Sequence, residues 1–141
     1  MIGLDVGSKR IGVALSDELG IIATPDGVVP RRSYNKDAEA IEQIVQSTGA
    51  QAIVVGHPVT LAGGASRQTR RTEQFAEALT ARVSVPVLLW DERLTTAMAH
   101  RLGFAHRDDE IAAALILQSY LDSAQRTHAD PSDPPPAPDL P

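Results

Sequence analysis

The sequence contains no cysteine, which excludes disulfides and thiolate metal sites and fits a reducing compartment. It has no apolar run approaching the roughly 18 residues that a membrane-spanning helix needs. No basic stretch precedes an apolar signal segment at the N-terminus. A cytoplasmic protein with no membrane partner is therefore expected. No internal repeat is visible. A strong charge of one sign is also missing: the formal net charge is −5, and Asp130, Asp133 and Asp139 near the C-terminus supply three of the acids. Setting those three aside leaves 15 acids against 13 bases, a net of −2. Charge alone thus neither supports nor excludes a polyanionic partner.

What is present is 141 residues, 43% of them hydrophobic, enough for one domain with its own core. The opening stretch organises the rest. Residues 1–16 read as two alternating strands joined by the turn Gly7-Ser8-Lys9-Arg10. Alternation places Ile2, Leu4 and Val6 on one face and Gly3, Asp5 and Gly7 on the other. Asp5 is thus flanked by residues without side chains, which predicts space beside it for a ligand or ion. A buried carboxylate without a compensating group is costly.

A third strand, interrupted by Pro25, completes an antiparallel meander. A helix follows, with Asn35 as the expected N-cap, Asp37 in its first turn, and Gly49 as its stop. Its inner face is expected to carry Ala38, Ile41, Ile44, Val45 and Thr48. The run from Gln51 to Gly56 reads as a strand buried on both faces. After a loop with Gly63 and Gly64 comes a helix over about 66–82, with Phe75, Ala76, Leu79 and Val83 inward and Arg67, Arg70 and Arg71 outward. Residues 86–90 read as a second buried strand that delivers Asp91-Glu92-Arg93. A short helix is expected over about 96–102, and a last one over about 108–123. A strand–helix–strand order implies parallel pairing, so the fold class is α/β with a mixed sheet and helices on both faces. Residues 1–126 are expected to form the domain. Residues 127–141, rich in proline and aspartate, are expected to be a disordered tail.

Three acids stand out by position. Asp5 lies in the middle of the first strand. Glu92 follows the C-terminal end of a parallel strand, where open α/β sheets place their ligand sites. Asp109 opens the last helix on the face that carries Ala112, Ala113 and Ile116, and the two alanines would let this helix lie close to the sheet and bring Asp109 toward Asp5. Oxygen ligands without His or Cys indicate a hard cation, Mg²⁺ or Mn²⁺, and two such ions can drive phosphodiester cleavage. Each acid also has a structural reading: Asp109 with Asp108 and Glu110 as an acidic helix start, Glu92 as a partner of Arg93, and Asp5 as a satisfied interior carboxylate.

The motifs Gly3-Leu4-Asp5-Val6-Gly7, Lys9-Arg10-Ile11-Gly12-Val13-Ala14, Val54-Val55-Gly56-His57-Pro58, Asp91-Glu92-Arg93-Leu94-Thr95-Thr96 and Asp109 to Leu117 resemble those of the bacterial YqgF family, also called RuvX. The resemblance covers roughly residues 1–123. It implies an RNase H-like fold with a five-stranded mixed sheet, and a metal-dependent nuclease with Asp5, Glu92 and Asp109 as its metal-binding catalytic acids. It also implies a role in maturing the 5′ end of 16S rRNA or, by analogy with resolvases, in cleaving branched DNA. Nucleic acid is then the partner, RNA favoured over branched or single-stranded DNA, with the oligomeric state left open. Lys9, Arg10, Arg67, Arg70, Arg71, Arg93 and Arg107 are the weaker candidates for phosphate contact, a solvated charged face being the alternative. His57 stands where the family usually has leucine, and either phosphate contact, proton transfer or a tolerated loop position would suit it. Rival readings are an ATPase of the actin, chaperone and sugar-kinase type, which needs two such domains, and a binding module that does not cleave.

Overall fold

A computed structural model describes residues 1–58, 66–92 and 109–129, with side chains to residue 124. The Gly63-Gly64 loop, the helix expected over 96–102, Arg93, Arg107 and the tail beyond residue 129 lie outside the described residues.

Strands β1 (Ile2–Val6), β2 (Arg10–Ser16) and β3 (Ala23–Pro30) form the expected antiparallel meander. In the β1–β2 ladder Asp5 stands opposite Gly12. Strand β3 shifts register opposite Val13 and Ala14, and it occupies a sheet edge, where Pro25 and Pro30 are tolerated. Helix α1 (Tyr34–Thr48) returns the chain to β4 (Ile53–His57), which pairs parallel to β1. Helix α2 (Arg67–Thr80) leads to β5 (Val87–Asp91), parallel to β4, and α3 (Asp109–Ala129) follows. The sheet order is β3-β2-β1-β4-β5. None of the described helices is long and apolar enough to cross a membrane.

Alternation along β1 builds the two cores. Ile2, Leu4 and Val6 pack with Ile11, Val13, Ile53 and Val55 against Ile41 of α1 and Phe75 and Leu79 of α2. The opposite face carries Val54 and Ala14 and packs on Ala113, Ile116, Leu117 and Leu121 of α3. Each large apolar side chain buried here contributes about 1.5–3 kcal/mol, so both faces of the sheet are strongly held. Gly3 lies under α3, where a Cβ would come 2.6 Å from Leu117 Cβ and 2.9 Å from the Ala113 carbonyl. The space predicted beside Asp5 is therefore taken at Gly3 by the helix itself.

Several local expectations are corrected. The N-cap of α1 is Ser33, not Asn35: Ser33 is extended (φ −145°) and its Oγ accepts from the Lys36 amide. Gly49 ends α1 in the left-handed region as expected, donating to the Val45 carbonyl. Thr48 is exposed rather than on the inner face, its hydroxyl returned to the Ile44 carbonyl. Strand β5 is an edge strand and only half buried, with Leu89 43% exposed. Its apolar run reflects partial cover on each face, with Val87 packed on one core and Leu88 and Trp90 on the other, while Leu89 stays open at the edge. Helix α2 starts as expected at Ser66, through a capping box with Thr69, and α3 runs to Ala129 rather than about 123.

Candidate active site

The three acids are delivered by three elements that end on the same side of the sheet. Asp5 is half-buried and points from β1 toward α3. Its ladder partner Gly12 supports the start of α3: a Cβ there would collide with the Asp109 carbonyl and lie 2.8 Å from the Glu110 nitrogen. The absence of a side chain at Gly12 thus lets the first turn of α3 rest on the β1–β2 ladder beside Asp5. Glu92 follows β5 directly, and its side chain folds across β4. A Cβ on Gly56 would be 2.7 Å from Glu92 Oε1 and 2.5 Å from Ile116 Cδ1. Two glycines therefore clear the way for two of the acids.

Asp5 and Glu92 are brought together and share a hydrogen bond. Burial pushes the Glu92 carboxyl up to about 8, and the negative charge of Asp5, that hydrogen bond and the charge of Asp91 push the same way. At neutral pH the Asp5–Glu92 pair accordingly keeps a proton between its two carboxyls. Asp109 is turned elsewhere: its Oδ2 pairs with Arg10 Nε at 2.7 Å. Among the described residues no three His, Cys, Asp or Glu side chains converge closely enough to hold a metal ion.

Of the basic candidates, Arg10 is held by Asp109, and Lys9 is exposed in the turn beside it. Arg67 and Arg70 are exposed on the first turns of α2, while Arg71 is half-buried. Arg93 and Arg107 lie outside the described residues. His57 ends β4 and pairs through Nε2 with Glu73 Oε2 of α2 at 3.0 Å.

The sequence reading missed the group that fixes the β1–β2 turn. Arg31 donates from its backbone to the Lys9 carbonyl (2.9 Å) and from Nη1 to the Gly7 carbonyl (2.7 Å). Its Nε pairs with Asp37 Oδ2 at 2.9 Å, and Asp37, only 1% exposed, also accepts from the Arg32 amide. The Arg31 guanidinium lies 5.7 Å from the Tyr34 ring centre and 6.0 Å from that of Phe75. Gln68 of α2 donates to the Val6 carbonyl, and Thr69 donates to that of Pro58, which ties α2 to the ends of β1 and β4. No periodicity marks Arg31. Its only signal was an arginine six residues ahead of an aspartate at a helix start.

The family model of RuvX, described as Holliday junction resolvase, matches residues 1–123. A relative from Desulforudis audaxviator is 43% identical over 132 residues, covering 87% of this chain and 94% of its own. One from Syntrophus aciditrophicus is 42% identical and covers 94% of each chain. Both carry the name "Putative pre-16S rRNA nuclease". Among solved structures, Thermus thermophilus RuvC bound to a Holliday junction superposes with a TM-score of 0.62 at 14% identity, over 89% of this chain and 94% of that one. That likeness establishes the RNase H-like fold. The sheet order, the family match and relatives above 40% identity agree, and the chain belongs to the RuvX family of RNase H-like nucleases.

Proposed function

We propose that this protein is a divalent-metal-dependent nuclease that hydrolyses phosphodiester bonds in maturing the 5′ end of pre-16S rRNA in the cytoplasm. Asp5, Glu92 and Asp109 are its catalytic, metal-binding acids. The observation that carries the reading is the Asp5–Glu92 pair, two carboxyls driven together at the ends of parallel strands and sharing a proton. Proteins rarely bury such a pair without a compensating charge, and an all-oxygen donor set fits a hard cation. A bound Mg²⁺ or Mn²⁺, two ions in this reading, would activate a water and neutralise charge on the scissile phosphate.

The residues of the chain have separable roles. Asp5, Glu92 and Asp109 would hold the cation; Glu92 would bind it as the carboxylate, without the proton it shares with Asp5, and Asp109 would approach from the start of α3. Arg67 and Arg70, exposed on the first turns of α2, would contact backbone phosphates of the substrate in this reading. The names of the relatives favour RNA, and the family description keeps four-way DNA junctions as the second reading.

The test is cleavage of a labelled pre-16S leader, single strands and four-way junctions with Mn²⁺, comparing the parent with Asp5→Asn. Cleavage of the leader, lost in Asp5→Asn, is the expected result. Equal cleavage by the two proteins would falsify the site assignment. Binding without cleavage on every substrate would overturn the enzyme reading, and cleavage of junctions alone would move the substrate to DNA.

A further inference from the structure

The carboxylate needed to complete the site is engaged, and the group that engages it is one that nucleic acid can claim. Asp109 rests on the Asp5–Gly12 pair through its backbone, yet its carboxylate is held by Arg10 Nε at 2.7 Å. Arg10 is not loosely placed. It starts β2 at the end of a turn closed by the Gly7 amide on the Arg10 carbonyl at 2.8 Å. Arg31 pins that turn at Gly7 and Lys9, and the buried Asp37 fixes Arg31. The guanidinium nevertheless faces solvent, with 57% of the side chain exposed. Exposed ion pairs of this kind are weak and yield to a competing anion. A phosphodiester is such an anion, and the planar fork of arginine suits it as well as a carboxylate.

We propose that Arg10 is a latch that exchanges Asp109 for a phosphate of the bound nucleic acid, so that the third carboxylate becomes available to metal only when substrate is present. This inference rests on the metal-nuclease reading above and deepens it. Without nucleic acid, Asp5 and Glu92 alone face the cation. With nucleic acid, Arg10 neutralises phosphate, and Asp109 is released beside Asp5. The exchange keeps Arg10 paired throughout, and the cation takes up the Asp109 charge that Arg10 gives up. It links metal and substrate binding reciprocally: whatever factor the nucleic acid adds to metal affinity, the metal must add to nucleic-acid affinity.

The experiment measures Mn²⁺ binding by the loss of its free electron paramagnetic resonance signal, with and without a short RNA hairpin whose integrity is checked on a gel afterwards. RNA binding is followed by fluorescence anisotropy with and without Mn²⁺. For the parent, RNA is expected to raise Mn²⁺ affinity about 5-fold or more, and Mn²⁺ to raise RNA affinity by the same factor, the lower range of site-to-site coupling. In Arg10→Gln the Mn²⁺ affinity without RNA should already equal that of the RNA-bound parent, and RNA should add nothing further. Lys9→Gln removes the same charge from the same turn; it is expected to lower RNA affinity with and without Mn²⁺ alike and so to keep the coupling factor, which separates a latch from general electrostatics. Coupling retained in Arg10→Gln, or lost equally in Lys9→Gln, overturns the latch while leaving the metal site standing. A parent that binds no Mn²⁺ with or without RNA overturns the metal reading itself, and the latch with it.

Discussion

Removing the charge of Glu92 should make the metal-free protein more stable, not less. The folded protein raises the Glu92 carboxyl from an ordinary 4.5 to about 8, through burial first and Asp5 second. The sign follows from linkage. A carboxyl raised on folding is favourably protonated in the folded state, so its contribution is intact below pH 4.5 and is lost as pH climbs toward 8. Each pH decade across that window is worth about 1.4 kcal/mol, a ceiling near 5 kcal/mol. Glu92 is only partly shielded and shares its proton with Asp5, so we expect about 2–3 kcal/mol at pH 8.5. Glu92→Gln keeps the shape and can still donate to Asp5. Thermal unfolding in EDTA at pH 8.5 should place its Tm about 6–12 °C above that of the parent. At pH 5 the difference should shrink below about 1 kcal/mol. Saturating Mn²⁺ should then raise the Tm of the parent and leave the variant nearly unmoved. Equal stability of the two proteins at pH 8.5 without metal would refute the claim that Asp5 and Glu92 form a strained pair.

Gly12→Ala puts a methyl into the Asp109 carbonyl, so it should cost about 1–3 kcal/mol by overpacking and abolish cleavage while circular dichroism stays native. Asp37→Asn leaves the Arg31 guanidinium, 15% exposed, without its counter-charge, and urea unfolding should show a loss of about 3 kcal/mol. If Arg67 and Arg70 meet single-stranded phosphates, replacing each with Gln should flatten the slope of log affinity against log salt by about 0.7, as read by anisotropy. An unchanged slope would assign them to a solvated face.

The sheet was legible because its signals are periodic. Alternation from Ile2 to Val6 sorted the two faces correctly, and the turn residues marked the meander. The strand–helix–strand order then allowed only parallel pairing for β4 and β5. What escaped was set by contacts between distant residues. Asn35 and Ser33 are equally good caps in isolation, and only the extended backbone at Ser33 decides between them. The burial of Asp37 depends on Arg31 arriving from the end of β3. The candidate site was legible as three positions but not as a geometry. Position put the three acids at adjacent element ends and drew Asp109 toward Asp5, whereas the pairing of Glu92 with Asp5 and of Asp109 with Arg10 depends on side-chain contacts and on how the β1–β2 turn is pinned, which no local pattern encodes. Gly3 and Gly7 stood out for the room they leave, and at Gly3 that room is filled by α3; the close approaches at Gly12 and Gly56, to the start of α3 and to Glu92, carried no such signal.

The order of elements along the chain also bears on when activity can arise. The β1–β2–β3 meander is local and can pair as soon as its residues are made, and it already contains Asp5. Glu92 and Asp109 come from the second half of the chain, after β5 and at the start of α3. A nascent chain therefore carries Asp5 early but lacks the other two proposed acids until β5 and α3 have been made and docked. If these three acids form the catalytic site, as proposed, cleavage has to wait for the docking of α3, however early the meander forms.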